Sequence, residues 1–144
     1  MRFWDTSALV PLLVAERSSS TVGELYRTDP HIAVAWTAAI ECSSACVRQH
    51  REHKISDTQL TRLLERLHTL SDAWHFAEST IEVRVGAERL VARHGLRAGD
   101  AIQLASAIAM NEVGKRGPDV VCLDRRLTLA ATAEGLHVVP EISA

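Results

Sequence analysis

The sequence has little that could place it in a membrane or outside the cell. Its longest apolar run covers only residues 8–15 and contains Pro11, whereas a membrane-spanning helix needs about 20 predominantly apolar residues. The first residues reach Asp5 without a basic segment followed by an apolar core, so no secretory signal peptide is expected. We therefore predict a cytoplasmic protein with no membrane partner.

Cysteine is also scarce. The three cysteines, Cys42, Cys46 and Cys122, form an odd set without the spacing of a disulfide framework or a zinc site. This pattern is typical of free thiols in a cytosolic protein. The formal net charge is only −2, so composition alone does not indicate a nucleic-acid-binding surface.

Short apolar segments alternate with amphipathic ones along the chain, whose length and composition predict one globular domain over residues 1–144. Strand-like segments are predicted at residues 2–4, 32–36, 74–76, 120–123 and 137–139. Because helical patterns separate them, the sequence predicts an α/β fold with a mostly parallel, roughly five-stranded sheet.

Polar residues mark the expected helix ends. Thr6 or Ser7 is predicted to cap the first helix, and the segments 56–59 and 79–82 fit the capping-box pattern. Gly95 is expected to end a helix in the left-handed conformation.

Four acidic residues occupy positions that suggest a site. Asp5 and Asp124 each follow an apolar strand and precede a helix, so both are expected at the carboxyl edge of the sheet, where α/β proteins bind ligands. Glu41 shares a helix face with small side chains, and Asp100 opens a buried, alanine-rich helix. Each acid alone could be a helix cap or a partner of the helix dipole. Their conjunction favours a functional role.

Unpaired carboxylates that are brought together repel one another, and their pKa values rise. Divalent cations such as Mg²⁺ and Mn²⁺ prefer oxygen ligands and relieve this repulsion. Bound ions of this kind activate water and hold the attacking and leaving oxygens of a phosphodiester. The four acids therefore predict metal-assisted phosphodiester hydrolysis.

Four segments carry a resemblance to a known family. They are Asp5-Thr6-Ser7-Ala8, Ile40-Glu41, Gly95-Leu96-Arg97-Ala98-Gly99-Asp100-Ala101 followed by Leu104-Ala105, and Leu123-Asp124-Arg125-Arg126-Leu127. In this order and over nearly the whole chain they resemble the motifs of PIN-domain ribonucleases. The closest similarity is to the VapC-type toxins of bacterial and archaeal toxin–antitoxin pairs.

The resemblance implies a three-layer α/β/α sandwich that binds Mg²⁺ or Mn²⁺ through Asp5, Glu41, Asp100 and Asp124, which would also be the catalytic residues. It implies endonucleolytic cleavage of RNA that blocks translation, and inhibition by a cognate VapB-like antitoxin. It further implies a homodimer, alone or within a heterotetramer or larger assembly with the antitoxin. Cys122 departs from the pattern, because the family often has Thr or Ser there, and a thiol is a poorer hydrogen-bonding neighbour.

Other side chains could assist at this site. Thr6 and Ser7 could hydrogen-bond the metal site or its water, although helix capping explains at least one of them. Arg125 and Arg126 are the best candidates for phosphate contacts because they adjoin Asp124. Solvated surface charge is the alternative role for both arginines.

Further candidates lie farther from the acids in the sequence. Basic residues that could contact phosphates are Arg48, Arg51, Lys115 and Arg116. Trp4 and Trp36 stand at predicted strand ends and could stack on a base, but packing in the core is the expected role of both.

Two other functions remain open. One is a phosphatase or phosphotransferase with Asp5 as nucleophile, although enzymes resembling haloacid dehalogenases carry a second Asp where Ser7 stands. The other is a catalytically silent PIN-like module that binds RNA or serves as a scaffold. Divalent-ion binding separates these possibilities, because a silent module need not bind metal in this pocket.

Overall fold

A computed structural model of the protein describes residues 1–112 and 117–141. The strands are β1 (Arg2–Trp4), β2 (Ile32–Val34), β3 (His75–Phe76), β4 (Val120–Val121) and β5 (Val138–Val139). The helices are α1 (Thr6–Leu13), α2 (Ser19–Thr28), α3 (Ala38–Arg51), α4 (Asp57–Ser71), α5 (Ile81–His94), α6 (Ala98–Glu112) and α7 (Arg125–Ala133). The basic candidates Lys115 and Arg116 lie outside the described residues.

The five strands form one sheet in the order β3-β2-β1-β4-β5, and every neighbouring pair is parallel. The first strand of the chain is therefore the central strand of the sheet. It pairs on one side with β2, through Phe3 and Ala33, and on the other with β4, through Phe3 and Val120. Because all strands run the same way, the residues that follow them meet at one edge.

The sheet separates two hydrophobic clusters, since successive strand residues point to opposite faces. Phe3 packs with residues of α5, α6 and α7 on one face. Trp4 packs with residues of α1, α2, α3 and α4 on the other. This arrangement is an α/β/α sandwich, so the predicted fold class is confirmed.

The helix ends agree with the sequence in part. Gly95 ends α5 with a left-handed φ of 63°, as predicted, and the capping box between Ser56 and Gln59 is present. The predicted caps of α1 are wrong: Asp5 itself caps the helix, by accepting a hydrogen bond from the backbone N–H of Ser7. The predicted box at residues 79–82 is also wrong, because Thr80 is the cap and bonds to the N–H of Val83.

Within the described part of the chain, no helix has both the length and the apolar character needed to cross a bilayer.

Candidate active site

Three segments that follow neighbouring strands meet at the carboxyl edge of the sheet. Asp5 comes directly after β1, and its backbone N–H donates to the carbonyl of Val121 in β4. Asp124 lies just beyond β4, and Glu41 lies in the first turn of α3, the helix that follows β2. Asp100 reaches the same edge from the first turn of α6. The following contacts and mutual charge effects show that the four predicted acids lie in one neighbourhood.

Asp5 is the most buried of these acids, with only 4% of its surface exposed. Burial raises the pKa of its carboxyl to about 6, and the negative charges of Asp100 and Glu41 add to this effect. The hydrogen bond that Oδ2 accepts from the N–H of Ser7, at 3.0 Å, opposes the rise. In the metal-free protein, Asp5 therefore holds a proton at mildly acidic pH.

Glu41 is fixed by three donors. Thr6 Oγ1 donates to its Oε2 at 3.1 Å, and Thr37 Oγ1 donates to its Oε1 at 3.0 Å. Gln103 Nε2 donates to Glu41 Oε1 at 3.2 Å and to Thr6 Oγ1 at 3.0 Å. Gly99 borders the same carboxylate, since a Cβ built on it would lie 3.8 Å from Oε1. Glu41 is thus held in one orientation by helices α1, α3 and α6.

Thr37 and Gln103 are site residues that the sequence analysis missed. Thr37 stands at the capping position of α3, but its hydroxyl makes no capping bond and instead donates to Glu41, one helical turn later. Gln103 is almost fully buried and lies on the same face of α6 as Asp100, three residues earlier. A buried amide among aliphatic residues of an otherwise apolar helix was the signal that could have identified it.

Asp100 is half-buried, and its carboxyl interacts electrostatically with two of the other acids. Burial raises the pKa of its carboxyl, and the charges of Asp124 and Glu41 raise it further. Arg97 and Arg126 partly offset this effect. Asp100 therefore interacts with both Asp124 and Glu41, which follow different strands.

Ser7 ties the segment after β1 to the segment after β4. Its hydroxyl oxygen accepts hydrogen bonds from the backbone N–H groups of Leu123, at 2.9 Å, and Asp124, at 3.2 Å. Asp124 in turn caps α7, because its Oδ1 accepts a 2.8 Å bond from the N–H of Leu127. The position of Asp124 thus depends on a hydroxyl from the other end of the chain.

Cys122 lies behind these two acids and is fully buried. Its thiol donates a long contact of 3.7 Å to Asp5 Oδ2 and lies 3.7 Å from Ser7 Oγ. Burial raises the pKa of the thiol to about 12, and the charge of Asp5 contributes. The thiol therefore stays protonated, and its one S–H is a weak donor shared between Asp5 Oδ2 and the carbonyl oxygen of Asp124, which lies at 3.5 Å.

Predicted basic residues lie near the acids at two places. Arg125 and Arg126 begin α7 and are exposed, and Arg126 donates a 3.0 Å bond to the carbonyl of Gly95. Arg48 lines a polar cavity of about 600 Å³ together with Thr6, Ser7 and Glu41. Arg51 ends α3 and does not line this cavity.

The prediction for the two tryptophans is correct for Trp4 and wrong for Trp36. Trp4 is completely buried in the core. Trp36 is 58% exposed, because β2 ends at Val34 and the residue lies in the turn before α3. It lines a second cavity together with Thr37.

The donor set can be compared with the needs of a divalent cation. Carboxylate and hydroxyl oxygens are the ligands that Mg²⁺ and Mn²⁺ prefer, and the mutual repulsion of the acids favours a cation among them. Within residues 1–112 and 117–141, no three acidic, histidine or cysteine side chains are already close enough to hold one ion. The chemistry of the donors fits such a cation, and the carboxylates must draw together to bind it.

Comparisons with known proteins agree with this geometry. Residues 2–133 match the family model of the PIN domain. Ribonuclease VapC45 of Mycobacterium tuberculosis (strain CDC 1551 / Oshkosh) is 33% identical over 138 residues, which cover 96% of this chain and 94% of that protein. Ribonuclease VapC49 of M. tuberculosis (strain ATCC 25618 / H37Rv) shows the same identity and coverage.

A solved toxin–antitoxin complex from Klebsiella pneumoniae has the same fold. Its similarity to this chain has a TM-score of 0.61 at 16% sequence identity and covers 86% of this chain and 87% of that one. Fold, motif order and sequence identity agree, and the chain belongs to the PIN-domain family.

Proposed function

We propose that this protein is a divalent-metal-dependent RNA endonuclease and the toxin of a VapBC-type toxin–antitoxin pair. Its relatives of 33% identity are named VapC ribonucleases and are matched over almost their whole length. The proposed metal-binding and catalytic residues are Asp5, Glu41, Asp100 and Asp124.

The observation that carries this proposal is the electrostatic coupling of the four acids. The pKa of Asp5 is raised by Asp100 and Glu41, and the pKa of Asp100 is raised by Asp124 and Glu41. A structural role gives no reason to gather four acids from four segments at one edge, because their repulsion is unfavourable. A site built to bind a cation does give that reason.

Mg²⁺ or Mn²⁺ held by these acids would activate water and neutralise the negative charge that develops on the phosphodiester. The side chains around these acids hold them in position. Thr6, Thr37 and Gln103 keep Glu41 oriented, and Ser7 holds the backbone of Asp124. Such positioning contacts around metal ligands set their orientation and basicity.

Exposed basic residues are proposed to bind the RNA backbone. Arg48 lines the polar cavity together with Glu41, and Arg125 and Arg126 directly follow Asp124 at the start of α7. Guanidinium groups suit this role because they bind phosphate oxygens with two parallel hydrogen bonds. The RNA backbone would therefore pass over the acids between these two basic positions.

The proposed partner is a VapB-like antitoxin, and the proposed resting form is a homodimer that joins the antitoxin in a larger assembly. The VapC relatives and the similarity to a chain of a structure described as a toxin–antitoxin complex support the antitoxin. A small protein that covers the acids would keep the nuclease inactive.

The rival functions are less well supported by the site. Asp5 is almost fully buried, and a protonated carboxyl at mildly acidic pH is a weak nucleophile, which disfavours an Asp-nucleophile phosphatase. Ser7 also occupies the position of that mechanism's second Asp and is engaged with the backbone of Leu123 and Asp124. A silent module would have no need for all four acids.

Cleavage of a mixed cellular RNA pool by purified protein tests the proposal. Reactions contain Mg²⁺, Mn²⁺ or EDTA, and Asp100→Asn protein runs in parallel to exclude a contaminating ribonuclease. Asp72→Asn is the matched control, because it makes the same change at an exposed acid at the end of α4. Thermal unfolding of all three proteins shows whether each is folded.

We expect wild-type and Asp72→Asn proteins to cut at a few defined positions with metal and not with EDTA. Asp100→Asn should be folded and inactive, and its expression should not arrest growth. Cutting by Asp100→Asn at the wild-type rate would refute the site assignment. Metal-independent activity, or no RNA cutting by antitoxin-free protein, would refute the function.

A further inference from the structure

Trp36 is an exposed aromatic residue at the edge of the acid cluster. All three tryptophans lie in the described part of the chain, and Trp4 and Trp74 are buried while Trp36 is 58% exposed. Single exposed apolar residues are common and do not by themselves mark a site. Trp36 differs in being aromatic and in directly preceding Thr37, whose hydroxyl contacts the acid cluster.

Trp36 is linked to the proposed catalytic acids through the residue that follows it. The next residue, Thr37, donates its hydroxyl to Glu41 Oε1 at 3.0 Å. Trp36 and Thr37 line a cavity of about 660 Å³, a volume within the roughly 300–1,000 Å³ range of ligand pockets. Ala98 also lines it and precedes Gly99, which borders the Glu41 carboxylate. The cavity therefore approaches the Glu41 carboxylate through Thr37 and through the Ala98–Gly99 segment.

Aliphatic side chains form much of the rest of the lining. They include Ile81, Val83 and Ala87 of α5 and Ala101 and Ile102 of α6. A flat, uncharged ring in the cavity would contact these aliphatic groups as well as Trp36. A nucleobase has this shape and presents a π-face suited to stacking on an aromatic side chain.

The charges of the cavity exclude a phosphate as its occupant. Glu78 and Glu88 line it, against one positive group, Arg84, which already lies 3.9 Å from Glu88. The polar cavity that Glu41 lines contains Arg48 and Lys54 together with two further acids, Glu16 and Glu52, and Lys54 lies 2.9 Å from Glu52. The two cavities therefore differ in the apolar character of their linings rather than in net charge, and the aliphatic lining beside Trp36 suits a base.

We propose that Trp36 stacks on an unpaired nucleobase of the RNA beside the scissile phosphate and thereby selects single-stranded sites for cleavage. This inference rests on the proposed nuclease function. A base within a duplex is stacked on both faces and paired at its edge, so it cannot enter the cavity without being extruded. Loops and other unpaired segments would therefore be cut in preference to helical ones.

The test uses Trp36 as its own reporter. The protein carries Asp100→Asn so that RNA is bound and not cut, and tryptophan emission is followed while a short single-stranded RNA spanning a mapped cleavage site is added. Because Trp4 and Trp74 are buried, the exposed Trp36 is the ring that a stacking base can quench. A series of the same RNA with one abasic position moved along it identifies the base that stacks.

Labelled-RNA binding measures the energetic effect in the same background. Loss of one base–aromatic stack corresponds to about 5- to 150-fold in Kd, so Trp36→Ala is expected to weaken binding within that range. Trp36→Phe keeps a ring and should restore most of the affinity. Val85→Ala is the matched control, because Val85 is also an exposed apolar residue of the α5 surface but does not line this cavity.

We expect quenching by the intact RNA, loss of quenching when the abasic position falls next to the cleaved bond, and faster cutting of the single strand than of its duplex. RNA that the wild-type protein cuts, and that the Asp100→Asn protein binds with no change in Trp36 emission, would overturn the stacking alone. A shift of Trp36 emission with protein concentration, without RNA, would assign the surface to a second copy of the chain. Absence of both cutting and binding would overturn the nuclease proposal as well.

Discussion

The side-chain amide of Gln103 on α6 donates a 3.2 Å hydrogen bond to the carboxylate of Glu41 on α3, across the carboxyl edge of the sheet. The amide nitrogen also donates to Thr6, while its carbonyl oxygen is buried without a partner among the described residues. A buried polar group with one unsatisfied atom is costly, and a role in positioning Glu41 would account for this cost.

Gln103→Leu removes this support while keeping the volume of the side chain. We predict a loss of about 10- to 100-fold in metal affinity or cleavage rate, the usual effect of removing an outer-shell contact to a metal ligand. Thermal unfolding should change little, because the unsatisfied carbonyl oxygen is removed with the amide. Ser43→Ala, which deletes an intrahelical hydroxyl bond on α3, is the control and should keep full activity. Full activity of Gln103→Leu would refute this role.

Asp5→Asn is predicted to stabilise the metal-free protein at neutral pH. The folded-state pKa of Asp5, about 6, lies above the ordinary value of 3.8, so the folded protein holds a proton that the unfolded chain releases between these values. The free energy of unfolding therefore falls as pH rises through this window. The difference between the two pKa values corresponds to about 3 kcal/mol in the free energy of unfolding once Asp5 is ionised in both states.

Asn keeps the helix cap and carries no charge, so the variant loses this pH dependence. Urea unfolding in EDTA at about pH 4 and about pH 7.5 measures the effect in both proteins. The variant should gain stability relative to wild type only at the higher pH. A variant that is equally or less stable than wild type at about pH 7.5 would show that burial of the charged Asp5 carboxylate does not destabilise the folded protein.

Ser7→Ala should destabilise the protein and misplace Asp124. The substitution leaves the backbone N–H groups of Leu123 and Asp124 without their acceptor, at a cost of about 1–3 kcal/mol for each group that stays dry. Chemical unfolding measures the loss of stability, and RNA cleavage at a temperature where the variant is fully folded measures the loss of activity. Ser7→Thr restores the hydroxyl and should recover part of both. Unchanged activity in folded Ser7→Ala would mean that Asp124 does not depend on this contact.

Cys122→Ser is predicted to lower the pKa of Asp5. A hydroxyl is a stronger donor than the thiol that now lies 3.7 Å from Asp5 Oδ2, so it stabilises the charged carboxylate. The pH-dependent loss of stability in EDTA should shrink by about 1 kcal/mol, a typical net value for one hydrogen bond. Cys46→Ser is the control, because Cys46 is equally buried and only burial raises the pKa of its thiol. No change in the pH dependence of stability is expected for this variant. An equal effect of both substitutions would assign the change to packing.

Much of this fold could be predicted because its signals are local. A strand of three residues followed by Asp5, a buried Val-Val pair before Asp124, and Gly95 after an amphipathic helix each carry their own pattern. The order of strands in the sheet has no such local signal. Neither does the choice between Asp5 and its two hydroxyl neighbours as the cap of α1, since all three are good capping residues.

The acidic residues of the site could be predicted from the sequence, but the residues that position them through hydrogen bonds could not. An acid at a strand end is conspicuous in the sequence, whereas the role of Gln103 depends on Thr6 and Glu41, which are 97 and 62 positions away. Trp36 was misjudged for a related reason. Strand-like composition continues past Val34, but the chain turns there, and the ring that was expected in the core faces the solvent.

The bond between Ser7 and Asp124 joins residues 117 positions apart, so it cannot exist until both have been synthesised. At roughly 5–20 residues per second, a ribosome needs several seconds to tens of seconds to make the intervening chain. For most of that time the emerging polypeptide has Asp5 but no β4 against which to place it. A nuclease built this way cannot complete the proposed site before residue 124 has been synthesised. An inhibitor therefore has to capture only molecules in which β4 and Asp124 have taken their places.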